Sequence, residues 1–350
     1  MSRLVVWLLV PAILLTQAVL SGCGRAGGSP TVADAYTLSS PFEGSGASLP
    51  DAYYQAVIAA FKEVAPEVTV SYDAIGSAAG KREFAQRLTD FAGTDSAVTD
   101  ADAITPGTFV RLPTVAAPVT IAYTLAGVDG LRLRPDTIAR IFQRDIRHWR
   151  DPRIVADNPG VPLPDLEITV VRRADGSGTT DNFTRYLVAA APSWRLGSGD
   201  SISWPADTQA GERNTGVARL IQHDAGSIGY LDLRDAMQAG LATAAVRNRD
   251  GRFVEPTIEA ATTALAAARV HGDMTYDVLD APGVGAYPIT ALSYLLVRTS
   301  YGDVAKAELA KRFLTYLLND GQALAADVSF APLPEVLRQQ ALAQLDKIRG

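Results

Sequence analysis

The stretch Val170-Val171-Arg172-Arg173-Ala174-Asp175-Gly176-Ser177-Gly178-Thr179-Thr180, followed by Asn182-Phe183-Thr184-Arg185-Tyr186-Leu187, passes from an apolar pair through a glycine turn into an amphipathic segment. That is the pattern of a strand handing over to a helix. Two further segments share its grammar. Gly44-Ser45-Gly46-Ala47-Ser48-Leu49-Pro50 precedes Asp51 to Val64, where Tyr54, Val57, Ile58 and Phe61 fall at helical spacing. Ile75-Gly76-Ser77-Ala78-Ala79-Gly80 precedes Lys81 to Phe91, again helical in pattern, and Val68 to Tyr72 alternates as a short strand. Strand, glycine turn, helix and strand recur with segments long enough for crossovers, so the chain is read as α/β with mostly parallel strands. Each helix start leaves N–H groups unpaired and carries roughly +0.5 charge, which makes it a ready anion site. Taken singly, each cluster is equally an N-cap followed by a tight turn.

At 350 residues, with 47% hydrophobic and 20% charged side chains, the chain is long enough for two globular domains and too mixed for disorder. Its 32 Lys+Arg stand against 38 Asp+Glu, a net charge of −6, which excludes a protein that coats nucleic acid. A single cysteine excludes a disulfide framework and a cysteine-based zinc site. That cysteine ends the run Leu20-Ser21-Gly22-Cys23, after an apolar stretch from Leu4 to Leu20 in which no charge follows Arg3. Residues 1–22 therefore read as an export signal, and the run resembles the lipobox of bacterial lipoproteins, in which the cysteine is acylated and becomes the first mature residue. The other reading is a plain N-terminal transmembrane helix, for which the stretch is short and interrupted by Pro11. Two acyl linkages would hold the mature protein at a membrane surface. Residues 23–42, rich in Gly, Ser, Thr, Pro and Ala, read as a flexible tether.

Two motif likenesses fail on inspection. Gly76 to Arg82 imitates a Walker A loop but has one residue too few between its glycines, and Arg82 stands where the magnesium-binding hydroxyl belongs. Asp175-Gly176-Ser177-Gly178 imitates a nucleophilic serine turn without its pattern, and His148, His223 and His271 read as surface or capping residues. No His, Asp or Glu cluster has metal-site spacing, so no metal or cofactor is expected.

GSGASLP, IGSAAG, Phe91-Ala92-Gly93-Thr94-Asp95 and VVRRADGSGTT together resemble the signature segments of the periplasmic phosphate-binding proteins of phosphate ABC transporters. Fainter likenesses, at Leu112 to Val115, Gly226 to Tyr230 and Tyr287 to Thr290, extend the match over about residues 44 to 335. The resemblance implies the two-lobed periplasmic binding protein fold of type II. Lobe I would comprise 43–120 and 288–350 and lobe II 121–287, with hinge strands near Val119 to Leu125 and Ile289 to Val297 and the ligand in the cleft. It implies phosphate contacts from Ser48, Leu49, Ser77, Asp95, Arg173, Ser177, Gly178 and Thr179, with Asp175 bracing Arg173. Leu49 departs from the aromatic residue common there. It further implies a monomeric, extracytoplasmic protein, not an enzyme, lipid-anchored through Cys23. Its partners would be inorganic phosphate and an ABC permease with its cytoplasmic ATPase.

Asp95 is the residue for which that assignment needs a physical reason. A carboxylate beside a bound anion costs several kcal/mol unless the ligand carries a proton to share. Phosphate does so at neutral pH and sulfate does not. Without the resemblance, Asp95 between Thr94 and Ser96 reads as an N-cap or turn residue. Two other functions stay open: a binding protein for another oxyanion such as sulfate or molybdate, and a phosphate-ester hydrolase using Ser177.

Overall fold

The computed structural model describes residues 41–350; the export signal, Cys23 and the tether up to residue 40 lie outside the described residues. The first described element is strand β1 (Phe42–Gly46), whose Phe42 is fully buried. It is followed by helix α1 (Asp51–Val64), β2 (Val70–Ala74), α2 (Ser77–Ala85), β3 (Phe91–Thr94) and the long β4 (Phe109–Tyr123). Further on come β5 (Thr169–Arg173), α3 (Gly178–Ala190), β6 (Gln209–Gly211), α4 (Arg213–His223), β7 (Ser227–Asp232), α5 (Leu233–Gln238) and the return strand β8 (Thr290–Arg298). These strands form a continuous sheet in the order β2-β1-β3-β8-β4-β7-β5-β6.

The architecture is the two-lobed α/β fold expected, with one correction to the strand directions. β1 pairs in parallel with β2 and β3, and β5 with β6 and β7, but β8 runs antiparallel to β3 and β4, and β4 antiparallel to β7. The sheet is therefore mixed. Its parallel pairs arise where a strand, a crossover helix and the next strand lie on the same side of the molecule. Its antiparallel pairs arise in the middle, where one strand leaves and another returns. β4 belongs to both sides: Phe109 to Pro118 pair with β8, and Val119 to Tyr123 with β7.

Two segment boundaries also shift. The first alternating strand lies at 70–74, not 68–72, because Val68 turns inward as a loop residue. Helix α2 starts at Ser77, after Gly76 at φ +93°, and stops at Ala85 because Arg87 turns left-handed at φ +60°. Phe91 is thereby released into β3, where its ring stacks on Phe42 at 4.7 Å. A separate aromatic nucleus serves the other side, with Phe183 of α3 stacked on Tyr230 of β7 at 4.4 Å.

Gly80, the residue that imitated a Walker glycine, has a packing role. A Cβ there would lie 2.3 Å from the Cα of Gly46, so α2 can rest on β1 only with a hydrogen at this position. Overpacking of this kind costs typically about 1–3 kcal/mol. Gly80→Ala is expected to lower the urea midpoint by a corresponding amount, and an unchanged midpoint would refute the close approach.

Candidate anion site

Three helix N-termini and one buried arginine converge where the two sides of the sheet meet. α3 begins at Ser177, whose Oγ accepts from Thr179 N (3.1 Å) and Thr180 N (3.4 Å), so the N-cap reading of this cluster holds as geometry. Its hydroxyl hydrogen is still available to donate, since capping uses only the oxygen lone pairs. α2 begins at Ser77, whose Oγ accepts from Gly178 N at 3.1 Å and Asp95 N at 3.3 Å. One hydroxyl thus ties together α2, α3 and the end of β3. Close backbone approach requires glycine at 178, because a Cβ would lie 2.6 Å from both Ser77 Oγ and Asp95 Cβ. α1 has no side-chain cap, and Ser48 Oγ before it is buried without a partner among the described residues. Ser48 and Leu49 line a cavity of about 270 Å³ opposite Asn214 and Asp232.

Arg173 ends β5 with a side chain only 1% exposed. Nε donates to Asp175 Oδ1 at 2.8 Å and Nη2 to Asp175 Oδ2, a fork-on-fork pair. Nη1 donates to Asn214 Oδ1 at 2.8 Å and to Thr179 Oγ1 at 3.4 Å. A guanidinium has five N–H donors, so one hydrogen, on Nη2, lies outside these four bonds. The planar fork is directed at Asp175. Burial alone would raise Asp175, but its bonds to Arg173 and to the backbone N–H of Arg213 hold it below the usual carboxylate range.

Asp95 is buried, and its Oδ1 accepts from Ser293 Oγ of β8 at 2.5 Å. Burial pushes it up to about 7, against the lowering influence of Ser293 and Arg173 and with a further rise from Asp181. Asn182 secures the same corner, its Nδ2 donating to the backbone oxygens of Asp95 (2.7 Å) and Gly178 (2.9 Å). Lys81 donates to Ala97 O at 2.9 Å and pairs with Asp102 and Asp200 at 3.0 Å each, a structural tie and not a phosphate-cradling lysine.

Ser77, Asp95 and Gly178 are thus in mutual contact, Arg173, Asp175 and Thr179 form a second contact group, and Ser48 and Leu49 lie across the small cavity from Asn214, which in turn bonds Arg173. Residues missed in the sequence include Ser293, which lies on the largely apolar β8 opposite a bulge at Thr114, and Asn214. Gly211-Glu212 leads into α4, which Arg213-Asn214 open, just as the other glycine turns lead into their helices, so that signal was present and unread. The three histidines are exposed, and His271 pairs with Asp277 at 2.8 Å.

The sequence profile of the PBP superfamily domain matches residues 26–321. The phosphate-binding protein PstS of Xylella fastidiosa is 33% identical over 277 residues, covering 77% of this chain and 76% of its own. That of Methanocaldococcus jannaschii is 33% identical over 341 residues, covering 90% and 86%. Among solved structures, a phosphate binding protein from Stenotrophomonas maltophilia superposes with a TM-score of 0.70 at 21% identity, over 87% of this chain and 94% of that one. A putative phosphate ABC transporter substrate-binding protein from Clostridium perfringens, with bound phosphate, gives 0.63 at 17% identity, over 84% and 100%. At these identities the structural likeness is one of fold.

Proposed function

Because the chain belongs to the PBP superfamily and, within it, to the PstS phosphate-binding proteins, we propose that it captures inorganic phosphate outside the cytoplasm and delivers it to an ABC permease, as a binding protein and not an enzyme. The observation that carries this reading is the buried Arg173–Asp175 pair beside the starts of α2 and α3, with Asp95 opposite. Ser48, Leu49, Ser77, Ser177, Gly178 and Thr179 would supply hydroxyl and backbone N–H donors to the oxygens of the anion. Arg173 would supply one N–H and its charge, and Asp95 would accept the ligand's proton.

The lobes would be 43–120 with 288–350, and 121–287, with hinge strands near Val119 to Leu125 and Ile289 to Val297. Supporting this, Val119 N donates to Ile289 O at 2.7 Å and Tyr287 Oη donates to Val119 O at 3.1 Å, so the two crossings lie side by side. Lys81–Asp200 and Arg111–Asp273 would then be ion pairs between lobes, made on closure. The chain would act as a monomer held at the membrane by acylated Cys23.

Protein extracted from membranes should begin, by intact mass, at an acylated Cys23. It should release about one phosphate per chain when denatured, and after phosphate removal it should titrate with phosphate one-to-one in a calorimeter. No heat with phosphate but a clear response to sulfate or molybdate would transfer the site to that oxyanion. Turnover of a phosphate ester that is lost in Ser177→Ala would make the protein a hydrolase.

A further inference from the structure

We propose that Asn214, oriented by Asp232, is the positioning residue that fixes the plane of the Arg173 guanidinium and thereby selects the single N–H it presents to the anion. The inference rests on the reading of Arg173 as an anion contact. All three side chains are buried: Arg173 is 3% exposed, Asn214 0% and Asp232 2%. The Asp175 fork alone leaves the Nη1 edge of the guanidinium without a strong acceptor. Asn214 Oδ1 provides one at 2.8 Å, against 3.4 Å for the Thr179 hydroxyl.

An amide can meet a guanidinium with its oxygen or, wrongly, with its NH₂ group. Asp232 decides between them. Its Oδ2 lies 2.7 Å from Asn214 Nδ2 and its Oδ1 accepts from Asp235 N at 3.0 Å as the N-cap of α5. Two acceptor oxygens held by the start of α5 require the amide to turn its NH₂ toward them, which leaves its oxygen facing Arg173.

The turn that carries Asn214 bears the cost of this arrangement. Arg213 is held at φ +60°, a left-handed conformation that a side chain adopts at a penalty of order 1 kcal/mol. In that conformation its N–H reaches Asp175 Oδ1 at 3.1 Å. One strained turn thus touches both members of the pair, Asp175 through Arg213 N and Arg173 through Asn214 Oδ1. A turn needed only to start α4 would have no reason to adopt it.

The test measures phosphate affinity of the full chain in a double-mutant cycle, together with the ¹⁵N resonances of the Arg173 side chain. Asn214→Leu should weaken phosphate binding by about 10- to 100-fold, the value of a hydrogen bond to a charged group. In an Arg173→Met background the same change should cost nothing further. Asp232→Asn, whose single amide oxygen can accept from Asp235 N or from Asn214 Nδ2 but not from both, should release the Asn214 amide and weaken binding toward the Asn214→Leu value. The Arg173 Nη signals, resolved by hindered rotation in wild type, should average in Asn214→Leu. Full additivity in the cycle, unchanged affinity in Asn214→Leu, or unchanged Nη signals would each overturn the proposal. If wild type itself fails to bind phosphate, the functional reading falls, and the Nη signals still decide whether Asn214 positions Arg173.

Discussion

Arg173→Met is expected to weaken phosphate binding by roughly 10²- to 10³-fold in calorimetry at fixed ionic strength, within the range for truncating one partner of a buried charged pair. Two losses combine. The anion forfeits the one full positive charge within its contact shell, and Asp175, now unpaired and only 15% exposed, contributes uncompensated negative charge to the same cleft. The second loss can be separated from the first. In Arg173→Met/Asp175→Asn the repulsion is removed while the contact stays absent, so affinity should recover partly and never fully. Complete recovery would show that Arg173 serves only to neutralise Asp175, and a loss smaller than tenfold would remove it from the site altogether.

Asp95 should govern the choice between phosphate and sulfate, and its effect should depend on pH. Sites built around one hydrogen bond from the ligand reject an analogue lacking it by up to roughly 10⁴-fold. That figure presupposes an ionised carboxylate. Burial holds Asp95 at about 7, so below that pH it keeps its proton and can donate to sulfate, and above it the proton is lost. Discrimination should therefore be small near pH 5 and grow about tenfold per pH unit above 7, until it reaches the ceiling set by the lost hydrogen bond. Asp95→Asn, which offers an NH₂ donor at every pH, should abolish that growth by admitting sulfate. Competition titrations with the two anions between pH 5.5 and 9 measure both curves. A selectivity that is flat in wild type, or that still climbs in Asp95→Asn, would assign discrimination to another group.

How far the sequence spoke depended on whether the signal was local. Helix α1 was legible to the residue, since Tyr54, Val57 and Phe61 mark a buried stripe and Pro50 marks its start. The glycine-flanked hydroxyls at 48, 77 and 177 stood out because a strand-to-helix turn writes itself in consecutive residues. The antiparallel centre of the sheet did not, because β8 meets β4 across 170 or more residues of chain and an apolar run carries no sign of its direction. Ser293 and Asp232 were hidden for a related reason. Their importance comes from the partners they meet, Asp95 and Asn214, and nothing in their own neighbourhood announces those partners. Arg173 was found, but its geometry was not. Asp175 was expected to brace it, and the structure adds that both Asp175 oxygens take the Nε and Nη2 edge.

The shared strand β4 also sets what kind of motion the molecule can use. Both halves hang on β4, whose Phe109–Pro118 stretch is laced to β8 on one side and whose Val119–Tyr123 stretch is laced to β7 on the other, so the halves stay joined through one continuous strand. They can only pivot about that seam, by small changes of twist spread over several residues. Asp95 sits one hydrogen bond from β8, close to the axle, while the outer strands β2 and β6 lie at opposite ends of the sheet. With the anion placed at Asp95 as proposed, the arrangement would be a lever with its fulcrum beside the ligand, so that a small displacement near Asp95 would be magnified at the rims.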